Sequence, residues 1–264
     1  MPYSQLGIEH CFCRNAYIIL GPMTTDHAAG DGERAARVHF RKVSDIYQES
    51  FGREDVADIH DRIKRVIEPD LRGLVVDIGS AGVPDFESNP SRTVLSVDYT
   101  LESLRCAPPK NVIPLAGDIR AIPLRSDVGD RVIVQYVLHY LTSSPSEPFE
   151  ANVRRALKES ARVLRRGGKV FLVDSFACPA FELLQRALYP LSYRALRAAA
   201  KPTLFFFSVA RLMRLAEACG LTPEKFVAIP WGRMSVASQT LFPRLRFPLR
   251  FSPVRCGVLI AVKR

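Results

Sequence analysis

With 264 residues and 47% apolar side chains, the chain can bury a proper core, either as one large domain or as a domain with a lid. No apolar run reaches the roughly 18–20 residues of a membrane-spanning helix. The opening MPYSQLGIEHCFCRNAYIILG carries an acid and a histidine where a secretion signal would carry lysines, so a cytoplasmic protein is expected. The net charge of +10 is unevenly placed: from residue 186 onward 14 Lys/Arg face two acids, whereas residues 1–185 sum to −2. Such a basic third suits an anionic partner, whether a phosphate-bearing substrate, an acidic membrane surface or nucleic acid.

Residues 1–32 read as a flexible N-terminal extension ending in the turn-rich GPMTTDHAAGDGE. A helical cap is expected over 33–70, from the spacing of Val38, Val43, Ile46 and Tyr47 and then of Val56, Ile59, Ile63 and Ile67. The texture then changes. Strands are expected at 73–79, 93–98, 111–116, 131–137 and 169–175, each a nearly continuous apolar run. The clearest helix between them covers 149–165, with Gly167 and Gly168 expected as its stop. Such runs separated by crossovers indicate a parallel sheet covered on both faces, a doubly wound α/β core over 71–176. An aromatic and arginine-rich insert over 177–207 is expected to be a helical lid. Residues 208–264 then supply a helix stopped by Gly220, a strand at 224–231, a long basic connection and a last strand at 256–263.

The six cysteines are scattered, and only Cys11 and Cys13 stand close, without a second pair at zinc spacing. Reduced thiols and no metal site are therefore expected.

Ligands of open parallel sheets bind beyond the carboxyl ends of the strands. Three successive strand ends here present an acid. Asp77 is followed by Gly79 and Gly82 in VVDIGSAGVPDF; Asp98 ends VLSVD; Asp118 stands in GDI. Gly79 can adopt a positive φ and lets a ligand approach the backbone, and Asp98 is positioned to accept from two ribose hydroxyls.

With these strand ends in place, the chain resembles a class I S-adenosylmethionine-dependent methyltransferase over about residues 35–263. VVDIGSAG, VLSVD, GDIRAIPL, RVIVQYVLHYL and ARVLRRGGKVFLVD follow that family's order and spacing, in the manner of its small-molecule, quinone-methyltransferase-like branch. The resemblance implies a mostly parallel seven-stranded Rossmann-like sheet with helices on both faces and an antiparallel last strand. It implies S-adenosylmethionine as cofactor, with Asp77, Gly79 and Ser80 at the methionine part, Asp98 at the ribose, Asp118 and Ile119 at the adenine, and Gln135 and Tyr136 on the sulfonium side. Ala81, Gly82 and Tyr99 complete the cofactor-binding set, and Tyr47 of the N-terminal cap would cover the cofactor or touch the substrate.

The glycine loop departs from the family pattern, because Ala81 and Val83 stand where later glycines belong and Pro84 follows. Pro84 pushes Val83 towards an extended conformation. A nicotinamide dinucleotide is the rival cofactor, but no glycine-rich GxGxxG opens a helix to hold a pyrophosphate.

Transfer from a sulfonium asks chiefly for an in-line nucleophile, with a base where the acceptor is a hydroxyl or an acidic carbon. His139, after the fourth strand, is the best-placed base; Asp174, ending the fifth, lines the acceptor side or caps a turn. The segments 177–207 and 232–255 set aromatics beside arginines, which suits a small apolar or amphiphilic acceptor with an acidic group. Membrane-surface association of this part is a further expectation. Two other readings stand beside this one. The first is a methyltransferase-fold protein that does not methylate, as a pseudoenzyme, binding partner or repurposed catalyst. The second is an RNA methyltransferase resting on the basic tail, although no RNA-binding domain and no Asn/Asp-Pro-Pro-Tyr/Phe tetrapeptide is present.

Overall fold

The structure, a computed structural model, describes residues 54–80, 86–87, 89–99, 112–145, 147–199, 201–230, 235–237, 246–248 and 252–264. Tyr47, Ala81, Gly82, the N-terminal extension and the first part of the expected cap lie outside the described residues.

The first described helix, α1 (Glu54–Ile67), buries Ile59, Ile63 and Ile67 at four-residue spacing, one stripe of a 3.6-residue period. The strands follow as β1 (Gly73–Ile78), β2 (Arg92–Asp98), β3 (Val112–Ala116), β4 (Gly129–Gln135) and β5 (Leu164–Ala177). Helix α2 (Ala151–Val163) links β4 to β5, and α3 (Pro179–Ala198) and α4 (Val209–Glu217) precede β6 (Leu221–Ala228). The short strands β7 (Ser235–Ala237) and β8 (Arg246–Pro248) pair with each other, and β9 (Val254–Lys263) closes the chain.

Seven strands form one sheet in the order β3-β2-β1-β4-β5-β9-β6. The β1–β2, β1–β4, β2–β3 and β4–β5 pairs are parallel, and β9 runs antiparallel to both its neighbours. This is the doubly wound, mostly parallel sheet with an antiparallel last strand expected above; the small β7–β8 sheet was not foreseen.

Continuous apolar runs are explained by two covered faces, since neighbouring residues of a strand point to opposite sides. Val75, Ile133, Phe171, Val173 and Val258 pack towards α1, and Val76, Val132, Val134, Val170 and Leu172 join a larger core with α2 and α4. Phe171 and Leu172 are fully buried on opposite faces of the same strand.

One expected boundary is corrected. Helix α2 ends at Val163 with an extended Leu164, not at Gly167 and Gly168. Leu164 already pairs with Gly129, and the next paired residue is Lys169, opposite Arg131, so the two glycines fill a bulge at the start of β5. Gly167 has φ +73°, and a Cβ on Gly168 would come within 2.8 Å of the Arg165 carbonyl oxygen. The expected stop at Gly220 fits better: this residue has φ +84° in the turn just after α4.

Several surface carboxylates are tied to cations. Arg62 beside Asp58, Lys64 beside Glu87 and Lys263 beside Asp127 each hold the acid below its ordinary value, chiefly by hydrogen bonding. A depressed folded value means stability that is present above the unfolded pKa and disappears as pH falls through the folded one. The thermal midpoint should therefore drop as pH is lowered below about 4, and less steeply at high salt, because these pairs are exposed and screened. An unchanged midpoint between neutral pH and pH 3 would refute this expectation.

Candidate active site

The carboxyl edge of the sheet is built by backbone pairing. Gly79 N donates to Val97 O at 3.0 Å, and Gly117 N donates to Asp98 O at 2.9 Å, so the ends of β1, β2 and β3 lie side by side. Asp77, Asp98 and Asp118 are thereby spread along one edge.

Asp77 is fully buried and holds the edge together rather than facing outward. Its carboxylate accepts from the Ser80 hydroxyl and, at 3.0 Å, from Gln135 Nε2, while Ser80 Oγ lies 3.4 Å from Ser96 Oγ. Gln135 and Ser80 are themselves buried, so this network joins the ends of β1, β2 and β4. Gly79 has φ +86°, and a Cβ there would lie 2.1 Å from Val137 Cγ2 and 2.9 Å from Gln135 O. Glycine is required at this turn by both its conformation and its surroundings.

Asp98 and Tyr99 are half-buried at the end of β2. Asp118 lies in a turn closed by Ala121 N donating to Asp118 O at 2.9 Å. Its carboxylate accepts from the Arg120 backbone and guanidinium, a local pairing that the sequence reading did not anticipate. Ile119 is buried in the larger core. The turn is fastened to α2, where Glu159 accepts from Ile122 N and Arg162 donates to the carbonyls of Ile122 and Leu124.

Tyr136 follows β4 with φ +51°, a conformation that a bulky residue seldom adopts. Its amide donates to Val173 O at 2.8 Å and its hydroxyl lies 3.2 Å from Cys256 Sγ, so the ring packs on the α1 side. Strained backbone of this kind concentrates at functional sites.

The next residues form a short 3₁₀ turn, Leu138–Tyr140, which presents His139. His139 Nδ1 lies 2.6 Å from Asp174 Oδ1, and both side chains are buried. Ser175 N donates to the same carboxylate oxygen at 2.6 Å, whereas the buried Asp174 Oδ2 has no hydrogen-bond partner among the described residues. The imidazole stacks on Phe206 at 5.3 Å between ring centroids, beside Tyr140 at 4.1 Å. A small cavity opens against the pair, lined by His139, Asp174, Ser175, Phe176 and Phe207. With Nδ1–H donated to the carboxylate, Nε2 is the nitrogen left to accept a proton.

The sequence marks His139 as a base and leaves Asp174 between two roles; it does not show that the two pair. The register could have shown it. Gln135 pairs with Val173 across the parallel β4–β5 ladder, which sets Asp174 beside the turn that carries His139.

Above this pair lies an aromatic wall. Phe149 meets Phe205 and Tyr189 edge-on at 4.3 and 4.8 Å, and Phe205 meets Phe207 at 4.9 Å. Tyr189, from α3, donates its hydroxyl to Ser143 O at 2.6 Å, and burial pushes the phenol's pKa up, which keeps it a donor.

Residues 76–172 match the family model described as a methyltransferase domain. Over these residues, somewhat over a third of its length, the chain is similar to methyltransferase domains. Its cofactor is S-adenosylmethionine, and the residues present fit that molecule: a Cβ-free turn at the end of β1, and half-buried carboxylates after β2 and β3 that accept hydrogen bonds. No match is found among curated proteins.

Among solved structures, the chain shares its fold with a chain from the Haloferax volcanii complex of the Trm112 methyltransferase activator with a methyltransferase. The TM-score is 0.59 at 15% identity, over 86% of this chain and 96% of that one. The YcgJ protein of Bacillus subtilis aligns with TM-score 0.52 and 20% identity, over 78% and 99%. Geranyl diphosphate methyltransferase, solved with GPP and sinefungin, aligns with TM-score 0.53 and 13% identity, over 76% and 77%. At these identities the likeness is one of fold.

Proposed function

We propose that this methyltransferase acts on a small, largely apolar or amphiphilic acceptor with an acidic group, and that His139 takes the acceptor's proton. The observation that carries this reading is the buried His139–Asp174 pair at the carboxyl edge, 2.6 Å from nitrogen to oxygen and backed by aromatic rings. A base of this kind is needed by a hydroxyl or acidic carbon, whose nucleophilicity rises as its proton leaves. The bound cofactor supplies an electrophilic methyl group.

The chain's own residues divide the remaining work. Asp98 holds the ribose hydroxyls, the backbone at Gly79 and Ser80 receives the methionine part, and the Asp118–Ile119 turn receives the adenine. Asp77, which accepts from Ser80 and Gln135, and Gln135, which donates to it, act beneath them as buried positioning residues. Asp174 fixes the imidazole's orientation. Phe205, Phe206 and Phe207 exclude water from the proton transfer, which strengthens the polar contacts inside. The arginines of the C-terminal third suit the acceptor's acidic group.

Calorimetric titration tests the cofactor half of this reading. S-adenosylmethionine and S-adenosylhomocysteine should bind at micromolar levels, and Asp98→Ala should weaken both roughly 100-fold through loss of two hydrogen bonds to a charged group. Undiminished binding by Asp98→Ala would overturn the assignment of Asp98, and folded protein that binds neither ligand would overturn the methyltransferase reading as a whole. A screen of acidic amphiphiles for cofactor turnover then tests the acceptor class.

A further inference from the structure

We infer that the outer face of α3 docks on an anionic phospholipid bilayer. Four leucines of this one helix stand open to solvent: Leu183 at 70%, Leu184 at 53%, Leu188 at 49% and Leu191 at 67% of their full exposure. A soluble surface tolerates single exposed leucines, but a contiguous apolar strip marks an interaction site. At 100° per residue these four fall on one face, with Ala187 and Ala195 between them. The opposite face is committed to the protein. Tyr189 is buried and bonded to Ser143 O, and Gln185 exchanges hydrogen bonds with the Phe206 backbone, its Nε2 donating to Phe206 O and its Oε1 accepting from Phe206 N.

Charge decides what covers the strip. Exposed Arg186 and Arg197 run along one flank and exposed Arg194 sits within the same edge. The helix has a single acid, Glu182, which is buried, accepts from Ser208 N at 2.7 Å and faces Arg211. Glu182 being turned inward, α3 offers no exposed carboxylate beside Arg186 and Arg194. A second copy laid face to face would bring like charges together, and nucleic acid would ask for exposed aromatic rings on which bases stack. Leucines that enter the acyl boundary while arginines meet lipid phosphates satisfy both features at once.

The helix would lie on the bilayer rather than cross it. Its 20 residues span about 30 Å, but among the described residues no helix is long and apolar enough to cross a membrane. Docking would set the bilayer beside the aromatic wall over His139, because α3 begins directly after β5. The docking inference itself is independent of the methyl-transfer reading, and its test needs no cofactor.

The experiment is vesicle flotation of the full chain with phosphatidylcholine alone and with phosphatidylcholine mixed with phosphatidylglycerol. The expected result is binding to the mixed vesicles at least about tenfold tighter than to neutral ones, weakening as salt is raised. The triple change Leu184→Ser, Leu188→Ser and Leu191→Ser should reduce this binding roughly tenfold or more with an unaltered thermal midpoint, because these side chains are exposed. Arg186→Gln with Arg194→Gln should erase most of the preference for phosphatidylglycerol while leaving neutral binding as it was. Undiminished vesicle binding by the leucine variant would overturn the proposal. So would wild-type protein that ignores vesicles, whether it sediments as a monomer or as a dimer that the leucine changes dissociate; the latter result would give the face to a second copy.

Discussion

His139→Asn should lower kcat by roughly 10²- to 10⁴-fold, the usual worth of a positioned proton acceptor, with S-adenosylmethionine affinity held within about threefold. Asparagine is chosen because its amide can still donate to Asp174 Oδ1, now 2.6 Å from the imidazole, while offering no basic nitrogen to the acceptor. The readout therefore separates proton transfer from packing. Asp174→Asn makes the complementary test. It preserves shape, but it replaces an acceptor-only group with one that can donate, so the imidazole loses its fixed tautomer and kcat should fall by roughly 100-fold or more. Both variants should also be less stable, since either change disturbs a buried pair whose Oδ2 already lacks a partner among the described residues. A His139→Asn protein that keeps its kcat and loses only thermal stability would reduce the pair to a structural contact. Kinetics need the acceptor that the screen returns; calorimetry with the cofactor alone controls for binding.

Reading the sequence was most successful where one local pattern had one structural meaning. β1, β2, β4 and β5 were legible because β-branched residues buried on two faces leave unbroken apolar runs, and α1 because Ile59, Ile63 and Ile67 repeat at helical spacing. The glycine pair at 167–168 was misread for a physical reason. A glycine after a helix signals a left-handed cap, and here it signals a bulge; only pairing with Gly129 and Arg131 distinguishes them. The site was legible at the level of which strand ends carry acids. Its partners were not, because Asp77 with Gln135 and His139 with Asp174 meet across 58 and 35 residues of chain. Arg120 folding back on Asp118 was closer at hand, two residues away, yet a side-chain choice of that kind leaves no periodic trace. The insert 177–207 reads as a helical lid rich in aromatics and arginines. Tyr189 and the three phenylalanines pack inward, but four of the five leucines on α3 point out to solvent, and composition alone cannot tell an inward leucine from an outward one.

Gly79→Ala should destabilise the protein by about 2–5 kcal/mol. The left-handed backbone at φ +86° alone costs an alanine roughly 1–2 kcal/mol. Overlap adds the rest, at roughly 1–3 kcal/mol for a methyl forced into an occupied space, because Val137 Cγ2 would be 2.1 Å and Gln135 O 2.9 Å from it. For a domain of this size the thermal midpoint should fall by about 5–15 °C. The damage should also reach the chemistry. Val137 precedes the 3₁₀ turn that carries His139, and Gln135 holds Asp77, so a side chain at residue 79 pushes on both the proposed base and the strand edge proposed to hold the cofactor. Cofactor affinity and kcat should therefore fall together, unlike the kcat-only loss expected of His139→Asn. Combining Gly79→Ala with Val137→Ala separates the two causes. Removing Cγ2 relieves one overlap but leaves the backbone conformation and the Gln135 carbonyl, so the double variant should recover only part of the loss, with a coupling of about 1 kcal/mol. Full recovery would assign the whole effect to Val137, and a Gly79→Ala protein as stable as the wild type would show that the turn can be rebuilt without a left-handed residue.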